Sequence, residues 1–227
     1  MRTIPLTLGI LVLAAAWLGP LPDLATQSFS AHMAMHMAVV ALAAPLVSLG
    51  VSGSALDPTS AMPRLFAPIS ASIAELIIVW AWHTPALHHA VRHHTWALVL
   101  EQSSFLAAGL LLWVAVLGGH GGLRKARRGA GVVALLFTSM HMTLLGALFA
   151  LAPRPLYEHV ADGPARLSSL ADQHLGGAIM LLVGGTAYLI GGLWLTAGLL
   201  RVGPTERRPV DKLRVVPSAV EGREVSS

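Results

Sequence analysis

Six long apolar segments constrain the fold of this 227-residue chain more than any other feature. Only 11% of the residues are charged, whereas soluble domains carry roughly 25%, so a single water-soluble core is not expected. Most segments approach the ~20 residues with which a helix crosses a ~30 Å hydrocarbon layer. Their apolar runs are continuous rather than alternating, which favours helices over a membrane barrel. The segments cover residues 4–18, 32–51, 65–87, 95–117, 130–151 and 175–200.

This pattern predicts an all-α fold: a polytopic transmembrane helical bundle of about six spans, formed by residues 1–201. The first segment is short enough to be a signal peptide, and its cleavage would leave five spans. Residues 202–227 are charged, contain three prolines and have no sustained apolar period. We therefore predict that they form a disordered cytoplasmic tail.

The lysines and arginines predict the orientation of the bundle. With a cytoplasmic amino terminus, twelve basic residues lie on the inner side and only Arg92, Arg154 and Arg166 lie outside. This asymmetry follows the positive-inside rule and predicts a multi-pass membrane protein with both termini in the cytoplasm. In this orientation ten of the eleven histidines lie outside or within the membrane, and His120 alone lies in a cytoplasmic loop. Since histidine was not used to choose the orientation, its one-sided distribution is an independent observation.

The histidines and methionines indicate the chemistry that is open to the chain. Cysteine is absent, so disulfides and thiolate metal sites are excluded, and a soft-metal site has to use His, Met or carboxylate. His32 and His36 are four residues apart, which places both imidazoles on one helix face. Met33 and Met37 follow them directly, and thioethers suit copper(I), although packing explains methionines in a span equally well.

Three further groups lie at positions where polar residues are costly or mark a boundary. His141, between Met140 and Met142 in the fifth segment, and Glu75, in the third, lie near the membrane middle and need a partner or a cavity. For His141 the alternative is a neutral imidazole bonded to a neighbouring helix. For Glu75 it is a protonated acid beside a polar neighbour. His83 ends the third segment behind tryptophans that are typical of the membrane interface.

The outer ends of the other segments contribute the remaining candidates. Glu101 lies about two turns inside the fourth segment. Asp172, Gln173 and His174 lie where the last segment enters from outside, and Asp172 is either a helix cap or a ligand. The loop histidines indicate a hydrated rim, although such a run could also capture a metal ion loosely: His88, His89, His93 and His94. Glycines recur every seven residues in the last segment and predict a close packing seam: Gly177, Gly184, Gly191 and Gly198.

Five stretches together resemble one family, the multi-spanning CtaG-type cytochrome c oxidase assembly factors, over about residues 32–200. They read SAHMAMHMAVVALAAPLVSLG, WAWHTPALHHAVRHH, SSFLAAGLLLW, SMHMTLLGALFALAPRPLY and LADQHLGGAIM. The matching positions are His32, His36, Pro45, Trp82, His83, Pro85, His141, Asp172 and Gln173. The chain departs from the family at Gln102, where a histidine is frequent, at His174, where glutamine is usual, and in having six rather than seven spans.

The resemblance implies a role in maturing a haem-copper oxidase at the bacterial inner membrane, by binding or delivering copper at the outer side. Oxidase subunits and membrane lipid are the implied partners, and copper, held stably or only in transit, is the implied cofactor. The expected metal ligands are His32, His36, His83, His141, Asp172 and His174, with Met33, Met37, Met140, Met142, Glu75, Glu101 and Gln173 in support.

Two other functions remain open at the level of the sequence. A haem-carrying electron-transfer protein would use His36 and His141 as axial ligands. A proton or metal transporter would use Glu75 and His141. The sequence shows no nucleophile–base arrangement, phosphate loop or nucleic-acid patch, so neither an enzyme nor a nucleic-acid partner is expected. The sequence leaves the oligomeric state open.

Overall fold

The computed structural model describes residues 2–119, 121–157 and 167–200. These residues form helices joined by turns, and no strand occurs among them. The predicted all-α class is confirmed. The predicted cytoplasmic tail 202–227 and His120 lie outside the described residues.

The described helices follow one another through short connections. In two places a π-helical segment joins two α-helices into one longer rod: Ala38–Ala43 joins α3 to α4, and Met180–Gly185 joins α9 to α10. The α-helices are α1 (Thr3–Leu18), α2 (Leu21–Ala25), α3 (Phe29–Met37), α4 (Ala44–Val51), α5 (Pro68–Trp82), α6 (Pro85–His93), α7 (Thr95–Leu117), α8 (Gly121–Ala150), α9 (Ser169–Ile179) and α10 (Thr186–Leu200).

Six helical rods in the described part of the chain match the six predicted apolar segments. Four are long and apolar enough to cross a bilayer, with 23, 23, 24 and 32 residues. The other two, α1 and α5, are apolar but have only 16 and 15 residues. Large apolar side chains point outward along these rods, among them Ile77, Leu144 and Leu182, each about 60% exposed. A helical membrane bundle accounts for both the length of the rods and their apolar outer surface.

The third span is shorter than predicted. We expected it to continue to residue 87, but α5 ends at Trp82 and α6 begins at Pro85. The cause is local: Thr84 precedes a proline and is extended, with φ −71° and ψ 145°, because the proline ring disfavours helical geometry in the residue before it. This break leaves His83 at the end of α5 and turns α6 into a separate amphipathic helix.

The helix ends gather in two layers. One layer, called the histidine end below, contains the starts of α3, α7 and α9 and the ends of α5 and α8. The other, called the Asp57 end, contains the start of α1, where the Arg2 amide donates to the Gly50 carbonyl over 3.3 Å, and the turns around Asp57 and Gly119. The grouping agrees with spans of alternating direction. Which layer faces the cytoplasm stays a prediction from the basic residues.

A hydroxyl group on a neighbouring helix lies close to a carbonyl in each π-helical segment. The Ser139 hydroxyl donates to the Gly185 carbonyl over 2.8 Å. The Tyr188 hydroxyl lies 3.3 Å from the Val40 carbonyl and closer, at 2.5 Å, to Glu75 Oε1. Because a buried carbonyl needs a partner, Ser139 helps to fix the second π-helical segment from a neighbouring helix.

The predicted glycine seam is confirmed over most of the last span. A methyl group on Gly177 would lie 2.4 Å from the Ala150 amide nitrogen, so α8 and α9 touch backbone to backbone there. Gly184 packs against the Met37 sulfur and Gly191 against the Trp113 ring. No described residue lies within 4 Å of that position on Gly198, so the described contacts do not extend the seam to this residue.

Candidate histidine site

Four buried histidines converge at the histidine end. They come from three places in the chain, and none is more than 7% exposed: His32 and His36 on α3, His83 after α5, and His88 on α6. The ring centroids of His32 and His88 are 5.3 Å apart, and those of His36 and His83 are 5.5 Å apart. The result is two histidine pairs, one turn apart along α3.

The pair His36 and His83 lies deepest and is walled by aromatic rings. The Phe105 ring centroid is 3.9 Å from that of His36, and the Phe149 centroid is 5.6 Å from that of His83. His83 is oriented by the contact of its Nδ1 with the Val79 carbonyl at 2.6 Å. Because a carbonyl can only accept, Nδ1 carries the proton and Nε2 holds a lone pair.

The remaining ring nitrogens of this pair have no hydrogen-bond partner among the described residues. These are both nitrogens of His36 and Nε2 of His83. A buried polar atom without a partner costs free energy, and native proteins keep few of them outside functional sites. The pair is therefore the strongest candidate in this bundle for binding a ligand that the chain itself does not supply.

His32 differs from His36, although both lie on the same helix face. Its Nε2 lies 3.0 Å from Glu101 Oε1, so the two form a buried pair. The second oxygen of Glu101 accepts from the Gln102 amide over 3.2 Å, and Trp17 donates to that amide's oxygen over 3.4 Å. Gln102, where the family frequently has histidine, thus holds Glu101 in place.

His88 is the site residue that sequence reasoning missed. We expected the run from His88 to His94 to be a hydrated rim, which the exposure of His89, His93 and His94 confirms. His88 is instead 3% exposed, and its ring packs against Phe29 and Tyr157 with centroids 5.6 Å and 4.1 Å away. The spacing of His88 and Val91 on one face of an amphipathic helix is the signal that could have revealed it.

The segment after α8 covers the site. Tyr157 is buried there and donates its hydroxyl to the His83 carbonyl over 2.5 Å. Burial raises the pKa of Tyr157, so the hydroxyl stays protonated and able to donate. Its ring also stacks on Phe29, with centroids 5.1 Å apart. The outer boundary of the site is therefore aromatic and tied to the end of α5.

Asp172 acts as a helix cap, but for α3 rather than for its own helix. Its carboxylate accepts from the amides of Phe29 (2.6 Å) and Ser30 (3.2 Å) and from the hydroxyls of Ser28 (2.8 Å) and Ser30 (2.5 Å). Four donors around one carboxylate at a helix start satisfy amides that the helix leaves unpaired. Asp172 thereby positions the helix that carries His32 and His36.

The two residues after Asp172 secure the covering segment. Gln173 accepts from the Leu156 amide over 2.6 Å and donates to the Phe149 carbonyl over 3.4 Å. His174, which is half-buried, contacts the Ala152 carbonyl through Nε2 at 2.9 Å. The structure thus uses all three residues of this predicted motif to join helix ends.

The two mid-membrane candidates lie apart from the histidine pairs. Glu75 is fully buried, and its Oε1 lies 2.5 Å from the Tyr188 hydroxyl, so its polar neighbour is a tyrosine on the last span. His141 is 3% exposed and lies beside Phe137, and its two nitrogens have no partner in the described part of the chain. None of the described ring contacts joins His141 to another histidine.

The methionines divide into buried and outward-facing ones. Met33, Met37 and Met142 are fully buried, and the first two pack against the glycines of α9 and the segment after it. Met140 is 60% exposed and points away from the bundle interior. Among the described residues no three His, Asp or Glu side chains are grouped to hold a metal ion. The site therefore offers pairs of ligands.

Comparison with known proteins identifies the family. No curated protein and no solved structure matches the chain. The family model of the cytochrome c oxidase caa3 assembly factor, Caa3_CtaG, matches residues 1–202. This match covers every described helix, including α1 and the whole histidine site, and extends the resemblance noted over residues 32–200. The chain belongs to the cytochrome c oxidase caa3 assembly factor family.

Proposed function

We propose that the protein binds copper(I) between His36 and His83 and delivers it to cytochrome c oxidase during assembly of the enzyme. The observation that carries the proposal is the buried imidazole pair whose inward nitrogens find no partner in the described residues. The family supplies the context, since its members assemble an oxidase. In the predicted orientation the pair lies in the outer half of the bilayer, on the periplasmic side.

The spacing of the two rings suits a metal ion held by two ligands. Two imidazole–metal bonds of ~2.0 Å and two ring radii of ~1 Å add up to ~6 Å for a linear bridge. The observed centroid separation is 5.5 Å, which corresponds to a bridge bent to roughly 130° at the metal. Copper(I) accepts as few as two ligands, whereas a closed structural zinc site needs four. A two-ligand site also leaves the ion open to a competing ligand, as transfer to another protein requires.

Two neighbouring groups complete the proposed site. Met37 follows His36 in the chain, and its sulfur lies at Gly184, close to Met142. We propose that this flexible thioether turns from Gly184 toward His36 on binding and provides a soft third ligand. Met140 faces outward, and we leave it out of the ligand set. His32 and His88 form the second histidine pair, one turn away along α3, and we propose them as the next ligands on a path toward the oxidase.

The test is an anaerobic copper(I) titration of the full-length protein in detergent against a competing chelator. We expect about one copper(I) per chain to depend on the pair and to be lost in the His36→Ala/His83→Ala variant. His141→Ala is the matched control, because it also removes a buried imidazole without a partner but lies outside the pair. Unchanged stoichiometry in the double variant would overturn the proposal. An absorption spectrum of the same sample separates it from haem binding, since retained haem gives a Soret band.

The cellular role has its own test. In a strain that lacks the protein, we expect oxidase activity to be lost, to return with the wild-type gene and to stay absent with the double variant. Normal oxidase activity in the deletion strain without added copper would contradict a role in copper supply.

A further inference from the structure

A second pair of histidines lies on the opposite face of α6. His89 and His93 are both exposed, and their ring centroids are only 4.2 Å apart, with an angle of 45° between the ring planes. They are four residues apart, so they project from one side of consecutive helical turns. His94, the next exposed histidine, is set apart from them, because its ring stacks on Trp96 with centroids 5.9 Å apart.

We propose that His89 and His93 form an exposed metal-capture site for a divalent transition-metal ion, with copper(II) preferred. Two metal–nitrogen bonds of ~2.0 Å that meet at a right angle separate the nitrogens by ~3 Å. That geometry fits rings 4.2 Å apart, whereas the buried rings 5.5 Å apart fit a wide angle. Copper(II) prefers a tetragonal set of nitrogen and oxygen ligands and binds more tightly than the other first-row divalent ions. Water completes the coordination at an exposed site.

α6 provides a fixed platform for this pair. Pro85 begins the helix, and His88 and Val91 anchor its inner face in the bundle. Arg92 lies between the two ligands in sequence, but its guanidinium donates to the Thr26 carbonyl over 2.8 Å. This bond ties α6 to the end of α2 and directs the positive charge toward that carbonyl. The two imidazoles thus begin in a chelating arrangement, and little ordering is needed on binding.

The same helix also carries a histidine that lies inside the bundle. His88 directly precedes His89, and its ring lies 5.3 Å from that of His32, the first histidine of α3. One short helix therefore carries exposed ligands on one face and a buried histidine of the site on the other. We assign to His89 and His93 the entry of metal toward the buried pairs. This entry role rests on the proposed copper function, whereas capture of the ion by itself does not.

Electron paramagnetic resonance of copper(II) bound to the full-length protein in detergent tests the capture site. We expect a signal with splitting from two imidazole nitrogens, and the His89→Ala/His93→Ala variant should lose it. In each single variant, His89→Ala or His93→Ala, affinity should fall on the order of a hundredfold, because the second imidazole of the pair binds at the high effective concentration set by the first. His94→Ala removes an exposed neighbouring imidazole and should leave the signal unchanged. An identical signal and affinity in the double variant would overturn the inference.

Cells grown at limiting copper test the entry role. The His89→Ala/His93→Ala variant should lower oxidase activity at limiting copper, and added copper should restore it, because the buried pair is intact. The His36→Ala/His83→Ala variant should not be restored. Normal oxidase activity of the first variant at limiting copper would overturn the entry role. One combination of results would refute the proposed function but not the capture site. In that case His89→Ala/His93→Ala loses the paramagnetic signal, while His36→Ala/His83→Ala still binds copper(I) as the wild type does.

Discussion

Each end of the bundle contains a buried aspartate, but in the described part of the chain only the histidine end also contains buried imidazole nitrogens without partners. Asp172 at the histidine end and Asp57 at the opposite end are both 6% exposed, and each accepts four hydrogen bonds. Asp172 joins α9 to the start of α3. Asp57 joins its own loop to Gly119 at the end of α7, over 2.8 Å.

The two ends differ in whether their buried polar residues stabilise the fold or are expected to bind a metal. A buried acid is costly without a partner, so both aspartates need an explanation, although the sequence indicated only Asp172 as a candidate. In both cases hydrogen bonds from backbone amides and hydroxyls offset the cost of burying the carboxylate. What distinguishes the histidine end is a set of three buried ring nitrogens that have no partner among the described residues: both nitrogens of His36 and Nε2 of His83. We therefore expect the two aspartates to control stability and these ring nitrogens to control metal binding.

The largest expected effect is that of Asp172→Ala. The substitution leaves two amides and two hydroxyls at the start of α3 without their acceptor, and we expect the free energy of unfolding to fall by about 3–5 kcal/mol. Thermal unfolding followed by circular dichroism in detergent measures it. Asp23→Ala, which removes an exposed carboxylate from the first turn of α2, is the control and should change little. If Asp172→Asn keeps the fold yet loses copper(I), Asp172 is a ligand and the comparison fails.

Much of this architecture could be predicted from the sequence, because it depends on properties of single segments. Continuous apolar runs predicted six helical rods. The recurrence of glycine every seven residues in the last span predicted the seam at Gly177. Helix ends were less predictable. The predicted third span continues through Pro85, although a proline restricts the backbone of the residue before it and this restriction can be predicted from the sequence.

The site was only partly predictable, because it depends on which helix faces meet. The one-sided distribution of the histidines indicated the end of the bundle where His32, His36, His83 and His88 meet, and the spacing of His32 and His36 placed both on one face. Spacing could not show that Glu101 pairs with His32 and leaves His36 without a partner. Nor could it show that Glu75 lies beside Tyr188, 113 residues away in the chain. Such pairings between distant segments exist only once the bundle has packed.

Gly177→Ala should have the next largest effect. The added methyl group would lie 2.4 Å from a backbone nitrogen of α8, so the two helices must separate. We expect a loss of about 3 kcal/mol in unfolding free energy, because backbone cannot yield as a flexible side chain can. Gly198→Ala, near the Asp57 end, is the matched control, because no described residue lies within 4 Å of that position. Equal losses in both variants would show that the seam is not tighter at the histidine end.

Asp57→Asn tests the other carboxylate and predicts a pH dependence. Burial by itself raises the pKa of Asp57, but hydrogen bonds from Gly53, Thr59 and Gly119 outweigh it and lower the pKa to about 2. A carboxylate with a depressed pKa stabilises the fold above its ordinary pKa of ~3.9, and this stabilisation is lost as the pH falls toward 2. We expect Asp57→Asn to remove about 2 kcal/mol at neutral pH.

The pH profile distinguishes this cause from a general loss of packing. Unfolding temperatures of wild type and Asp57→Asn, measured from pH 7 to pH 3, should converge as the pH falls. Thr59→Ser keeps the hydroxyl donor and should follow the wild type. A constant difference between wild type and Asp57→Asn at every pH would contradict the role of the ionised carboxylate.

His36→Leu should have the smallest effect on stability, and with the opposite sign. The substitution removes two buried nitrogens that lack partners and places an apolar side chain against Phe105 and its neighbours. Without copper, we expect the free energy of unfolding to rise by about 1 kcal/mol while copper(I) binding is lost. His32→Leu, one turn away, should instead destabilise the fold, because Glu101 would remain buried without its histidine. If His36→Leu also destabilises the protein, His36 has a structural role that the described contacts do not account for. If His36→Leu raises the free energy of unfolding and His32→Leu lowers it, the role of His36 is in binding rather than in folding.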